Sequence, residues 1–205
     1  MIVDNSVVKR SPGRPQAFRP EEALDRAVEL FWEYGYEGVD VDRIARAVNV
    51  TKPALYREFG DKPTLLVKAV QRYVESYGAP MMEAFLAEPD IQKAVTVFCK
   101  ATIENATGDR RAGCMMAAAV LGQSERVAEI RAYAEQGLAA SADVLAHRFE
   151  KEVQAGRLST KIPAKVRGRL MIDLMQGLLL RAKTGTSRKQ LLEDALSYVP
   201  VILGS

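Results

Sequence analysis

From Pro20 to Tyr77 apolar side chains return every three or four residues, and the pattern is broken only at Gly35, Asn49 and Gly60. That spacing lays one apolar stripe along a helix and leaves no room for strands, whose side chains alternate with period two. The first segment starts at Pro20, with Glu21 and Glu22 in the turn where the helix dipole favours acids. Its inner face carries Leu24, Ala27, Val28, Phe31 and Tyr34, and Gly35 stops it. Asp40 is placed to cap a short second helix with Val41, Ile44, Ala45 and Val48 inward, and Asn49 tolerates the left-handed backbone that ends it. Thr51 caps a third helix, which opens on Lys52-Pro53, buries Leu55 and Phe59, and closes at Gly60. Asp61 then opens a longer helix whose inward row is Leu65, Leu66, Ala69, Val70, Tyr73 and Tyr77.

Beyond Gly78 punctuation is sparse and the same period persists, in a broken piece near Met81 to Ala87 and in helices at about 89–106, 114–121, 124–154, 163–183 and 187–203. The expected fold is therefore all-α. Residues 1–19, with Ser11, Pro12, Gly13 and Pro15 and no apolar period, read as a flexible basic arm. Residues 20–70 read as a compact unit of short helices and 71–205 as a second helical domain, with the fourth helix shared between them.

A chain of 205 residues buries a core without staples, and Cys99, Cys114 and His147 are too few for a disulfide framework or a zinc cluster. No metal or cofactor is expected. No apolar run reaches the ~18 residues of a membrane span, and the first thirty residues lack the apolar stretch of a secretory signal, so a cytoplasmic protein without membrane contact is expected. His147 has no acid or nucleophile placed beside it, and an enzyme is not expected.

The net charge of +3 is uninformative, but its distribution is not. Lys9, Arg10, Arg14 and Arg19 form one basic run; Arg43, Arg46, Lys52, Arg57 and Lys62 form a second, opposed over that stretch only by Glu58 and Asp61. An acidic first helix between them hides both from a whole-chain average. Two short helices joined by Asn49-Val50-Thr51 have the proportions of a helix-turn-helix, whose second helix enters the DNA major groove. Lys52 and Arg57 then point where phosphates or base edges lie, and Tyr56 offers a phenolic hydroxyl. A solvated helix face, or a module that docks on an acidic protein, satisfies the same periodicity.

The segment from Arg19 to about Tyr77, with Ala27, Phe31, Gly35-Tyr36, Ile44-Ala45, Val50-Thr51-Lys52, Leu55-Tyr56, Phe59, Lys62 and Leu65, resembles the DNA-binding domain of TetR-type transcriptional regulators. The resemblance implies a homodimeric, ligand-responsive regulator, most simply a repressor on a partly palindromic double-stranded operator. It makes Thr51, Lys52, Tyr56 and Lys62 phosphate-positioning residues, turns Pro53, Ala54 and Arg57 to the groove, and puts Arg43 on the flanking helix. Arg14, in Gly13-Arg14-Pro15, becomes a candidate for the minor groove. Two positions depart from the family: Val39-Asp40 replaces a common Thr or Ser pair before the second helix, and Asn49 replaces a common Gly in the turn.

In the second domain the resemblance implies an effector pocket and a dimer interface. Met81, Met82, Phe85, Phe98, Met115, Met116, Tyr133, Met171 and Met175 are the candidates to line an apolar pocket for a small-molecule effector. Val166, Leu170, Leu174, Leu178, Leu192, Leu196 and Val199 on the last two helices are the candidates for an isologous four-helix interface. Cys99 and Cys114 leave a thiol-based sensor open; Cys114, after Arg110-Arg111 at an expected helix start, has the better setting for a thiolate.

Overall fold

A computed structural model of the chain describes residues 18–108, 111–117 and 128–204. Residues 1–17 of the basic arm, Arg14 among them, and the expected helix boundaries at 121 and 124 lie outside the described residues. The fold is all-α. Its elements are α1 (Pro20–Tyr34), α2 (Val41–Ala47), α3 (Lys52–Phe59), α4 (Lys62–Tyr73), a π-helical turn (Val74–Gly78), α5 (Ala79–Ala87), α6 (Ile91–Ala106), α7 (Ala128–Gln154), α8 (Ala164–Lys183) and α9 (Arg188–Leu203). A two-residue antiparallel ladder, β1 (Thr107–Gly108) with β2 (Arg111–Ala112), follows α6. Two residues per strand are too few to leave an alternating pattern in the sequence.

Local chemistry sets the helix limits. Asp40 accepts from the Asp42 amide (3.0 Å), Asp61 from Thr64 (3.0 Å), Asp90 from Lys93 (2.9 Å) and Ser187 from Gln190 (3.3 Å), each satisfying an amide of an opening turn. Thr51 occupies the N-cap position of α3, yet its hydroxyl makes no capping bond, contrary to the sequence reading. Positive φ at Gly35 (69°), Asn49 (55°) and Gly60 (84°) falls where the breaks were read.

Two cores result. The first packs α1 to α4 around Ala27, Phe31, Val41, Ile44, Leu55, Phe59, Leu66 and Val70; the second packs α5 to α9 around Phe85, Val95, Phe98, Leu145, Phe149, Met171, Leu178, Leu191 and Ile202. Tyr73 and Met116 touch both. The inward row of α1 is Ala23, Ala27, Val28, Leu30, Phe31 and Trp32, whereas Tyr34 is 41% exposed and Leu24 only half-buried, a correction to the expected stripe. In the second core α8 crosses α7 at Gly168, where a Cβ would stand 2.3 Å from the Ala142 carbonyl oxygen. Only glycine permits that approach. At the far end, buried Arg167 donates to the carbonyls of Ile162 (2.7 Å), Ser159 (3.0 Å) and Leu203 (3.0 Å), closing the last turn of α9.

Candidate functional site

α3 is held by its buried edge, Leu55 and Phe59, so its other side faces out: Thr51, Pro53, Tyr56 and Arg57 are exposed, and Lys52 and Ala54 half-buried. The turn before it is tight, with the Val50 amide donating to the Ala45 carbonyl (2.9 Å). Because Thr51 does not cap, its hydroxyl is available to an outside partner.

The cations of this face are positioned by neighbours. Lys52 Nζ donates to Asp42 Oδ2 (3.0 Å) and lies 3.8 Å from Asp40 Oδ1. The hydrogen bond to Asp42 raises the Lys52 ammonium above its ordinary pKa. Asp40, the departure from the family pattern, is thus used as a helix cap and as part of this pair. The Arg43 guanidinium sits 4.0 Å from the centroid of the Tyr34 ring, and Lys62 Nζ 4.3 Å from that of Tyr36. Ring faces attract cations without neutralising them. Arg46 and Arg57 are exposed beside them, and neither has an ion pair among the described residues. The result is a helix-turn-helix whose outer surface carries fixed positive charge, which is what a phosphate backbone selects.

A separate cavity of about 350 Å³ lies in the second domain, between the π-helical turn, α5, α6, the 113–116 segment, α7 and α8. Met81, Met82, Phe98, Met116, Tyr133 and Met175 line it. Phe85, Met115 and Met171 do not, because each is wholly buried elsewhere. Phe85 packs edge-on against Phe98 and Phe149, Met171 fills the second core, and Met115 reaches into the first. Periodicity marks a residue as inward without saying whether a void or a neighbour meets it. The wall also contains Tyr73, Tyr77, Thr102, Asn105, Cys114, Ser141 and Gln176, which a search confined to methionine and most aromatics passed over. Thr102 and Ser141 donate to carbonyls of their own helices, Phe98 (2.8 Å) and Gly137 (2.8 Å). Tyr73, its hydroxyl 3.9 Å from Cys114 Sγ, has its pKa raised well above the ordinary value by burial.

Trp32 joins the two regions. It belongs to α1, yet its indole Nε1 donates to the Gly113 carbonyl (3.0 Å), and its ring stands edge-on to Tyr73 (4.8 Å) and Tyr77 (5.1 Å). Gly113, Tyr73 and Tyr77 are all cavity wall. Gly113 has φ 78°, and a Cβ there would stand 2.8 Å from the Leu179 carbonyl oxygen, so the bend that presents its carbonyl to Trp32 needs glycine. From α8, Lys183 Nζ donates to the Trp32 carbonyl (3.4 Å). The stripe of α1 does not single out Trp32, although it stands four residues after Val28, because what distinguishes it is a bond to a residue 81 positions away.

The two thiols differ. Cys99 is fully buried, and burial pushes its thiol up to about 12, so it holds no thiolate near neutral pH; Cys114 borders the cavity. On the last two helices Val166 and Leu196 are exposed and Leu170, Leu174 and Leu192 half-buried, but Leu178 (1% exposed) and Val199 (5%) point into their own core. Those two offer almost no surface to a second subunit. Leu180 and Val201, 56% and 55% exposed, stand on the outer side instead. Among the described residues no cluster of metal-ligating side chains occurs, and no helix is long and apolar enough to cross a membrane.

Residues 23–69 match the profile of the bacterial regulatory proteins of the tetR family. Over 111 residues the chain is 34% identical to the transcriptional repressor ComR of Escherichia coli, an alignment covering 53% of each chain, about half the length of that relative. It is 26% identical over 188 residues to the E. coli repressor BdcR, covering 91% of this chain and 90% of BdcR. In three dimensions it is similar to a cysteine mutant of the TetR family regulator CifR complexed with a 26-base-pair operator DNA. That likeness has a TM-score of 0.80 at 25% identity, over 90% of this chain and 98% of CifR.

Proposed function

We propose that this chain, which belongs to the TetR family of bacterial transcriptional regulators, represses transcription as a homodimer on a partly palindromic operator and leaves it when a small molecule fills the cavity of the second domain. The observation that carries the reading is the outward face of α3, anchored by Leu55 and Phe59 and flanked by Lys52, Arg43 and Lys62 held on fixed neighbours. Arg57, with Pro53 and Ala54, reads the major groove; Thr51, Lys52, Tyr56 and Lys62 hold phosphates, with Arg43 on the flanking helix. Arg14 of the arm enters the adjacent minor groove. The chain acts as a regulator in the cytoplasm, with no catalytic step.

Dimerisation supplies two such faces about one helical turn of DNA apart. Val166, Leu170, Leu174, Leu192 and Leu196, with Leu180 and Val201, form the interface on α8 and α9. The effector is mostly apolar, since Met81, Met82, Phe98, Met116 and Met175 make much of the wall. By linkage it releases DNA only as far as it prefers the conformation that does not bind; moving the protein from mostly bound to mostly free takes on the order of 10⁴-fold preference. Tyr73 at the end of α4 and Trp32 on α1 carry that preference to the DNA-binding unit.

The test is selection of duplexes from a random pool by the full chain, followed by mobility shifts under excess non-specific DNA. An enriched two-half-site sequence that survives competition supports the reading. Absence of any sequence preference, with capture of acidic proteins instead, replaces it by an interaction module. A thiol sensor is the second reading, favoured by Cys114 in the cavity wall; operator release by mild peroxide that is lost in Cys114→Ser would establish it.

A further inference from the structure

Two properties of the cavity wall narrow its ligand. Among the described residues lining it there is no Asp, Glu, Lys, Arg or His. A charged ligand would leave water without a countercharge, a cost that neutral walls do not return. The wall is nevertheless not purely apolar. Asn105 from α6 and Gln176 from α8 both face it, half-buried, and among the described residues neither carboxamide has a hydrogen-bond partner. Thr102 and Ser141 differ, each already bonded to a carbonyl of its own helix. Each carboxamide carries donors and an acceptor, and a ligand covering them must supply matching groups or strand them.

From this, and resting on the effector reading above, we infer that the cavity takes an uncharged molecule with an apolar body and one neutral hydrogen-bonding group, an amide, hydroxyl or ketone, held by Asn105 and Gln176. The body lies against Met81, Met82, Phe98 and Met116. A volume of about 350 Å³ admits a fused-ring or similarly compact compound.

The probes are three molecules of one shape: 2-naphthamide, 2-naphthoate and 2-methylnaphthalene, titrated calorimetrically into the full chain at pH 7.5. Naphthamide binds best, naphthoate about tenfold or more weaker, and methylnaphthalene about two- to tenfold weaker. In Asn105→Leu with Gln176→Leu the advantage of the amide over the methyl compound disappears, while the absolute affinity for methylnaphthalene is kept. If that variant does not show the wild-type melting transition, Gln176→Glu serves, and it shifts the ranking further against naphthoate. Naphthoate binding as tightly as naphthamide overturns the inference, as does failure of all three to bind up to their solubility limits. Naphthamide that binds without changing operator affinity sinks the regulatory reading and leaves the ligand class standing.

Discussion

The outer face of α3 and the cavity of the second domain are built on opposite electrostatic terms. On the first, three cations rest on oriented neighbours, Lys52 on Asp42, Arg43 on Tyr34 and Lys62 on Tyr36, with Arg46 and Arg57 exposed beside them. On the second, no described wall residue is charged. A polyanion is drawn to the first over a Debye length and released by salt, whereas the second recognises only what touches it. On the proposed reading, DNA and effector therefore share no group for which to compete. Whatever one does to the other has to pass through the elements both regions use, and the structure offers Tyr73, Met116 and Trp32.

The largest effect expected lies in the step that doubles the DNA face. Leu180→Glu with Val201→Glu puts two charges on the exposed side of α8 and α9 without touching the core. Such a variant should sediment as a monomer and lose about 10²- to 10⁴-fold in operator affinity, the advantage of linking two half-site contacts. A variant that remains a dimer moves the interface elsewhere. Leu178 is unsuited to this test, because a charge at a side chain 1% exposed would unfold the subunit.

Next comes the connection itself. Trp32→Phe keeps a ring between Tyr73 and Tyr77 and removes the donor to the Gly113 carbonyl, which should lower stability by about 1–3 kcal/mol in urea unfolding. If Trp32 couples the regions, the variant binds operator and naphthamide separately much as before, but each then weakens the other less. Full coupling in the variant would move the link to Tyr73 and Met116.

A smaller contrast divides the DNA face. Arg57→Ala should lose about five- to a hundredfold on the selected operator and little on random DNA, since a base contact is sequence-bound. Lys62→Ala should weaken both alike and lower the salt slope by about 1. Mobility shifts across a salt series check both, and equal losses on both DNAs for both variants would dissolve the division of roles.

How much of this was legible in the sequence follows from the range of the interactions. The short helices of the first unit are delimited by contacts two or three residues apart, Asp40 to Asp42 and Asp61 to Thr64, and by the turns at Asn49 and Gly60, so punctuation located them. The second domain depends on contacts dozens of residues apart. Met115 and Met116 are neighbours in sequence, yet one fills the first core and the other borders the cavity. Leu174 and Leu178 share a stripe, yet the first is half-buried and the second sealed in its own core. Nothing at three-residue spacing distinguishes them; only the packing of α8 against its neighbours does. Trp32 and Gly113, 81 positions apart, illustrate the limit, because their bond has no local signature.

The smallest expected effect tests whether the DNA face is tempered from within. Lys52 is assigned to phosphate, but its ammonium is already bonded to Asp42 and close to Asp40. A phosphate must share that ammonium or take it, and exposed pairs of this kind are weak. Asp42→Asn keeps the shape of the side chain and removes its charge, so DNA affinity should rise about two- to fivefold, on operator and random DNA alike because phosphate carries no sequence. The control is Asp25→Asn, which makes the same change in net charge but has Arg72 as its partner (2.8 Å), ten residues along α4 from Lys62. At a helical rise of about 1.5 Å per residue that site lies beyond a Debye length of about 8–10 Å, and its effect should be smaller. An equal rise in both variants would assign the gain to net charge. A fall in Asp42→Asn would show that the carboxylate orients Lys52 toward phosphate instead of withholding it.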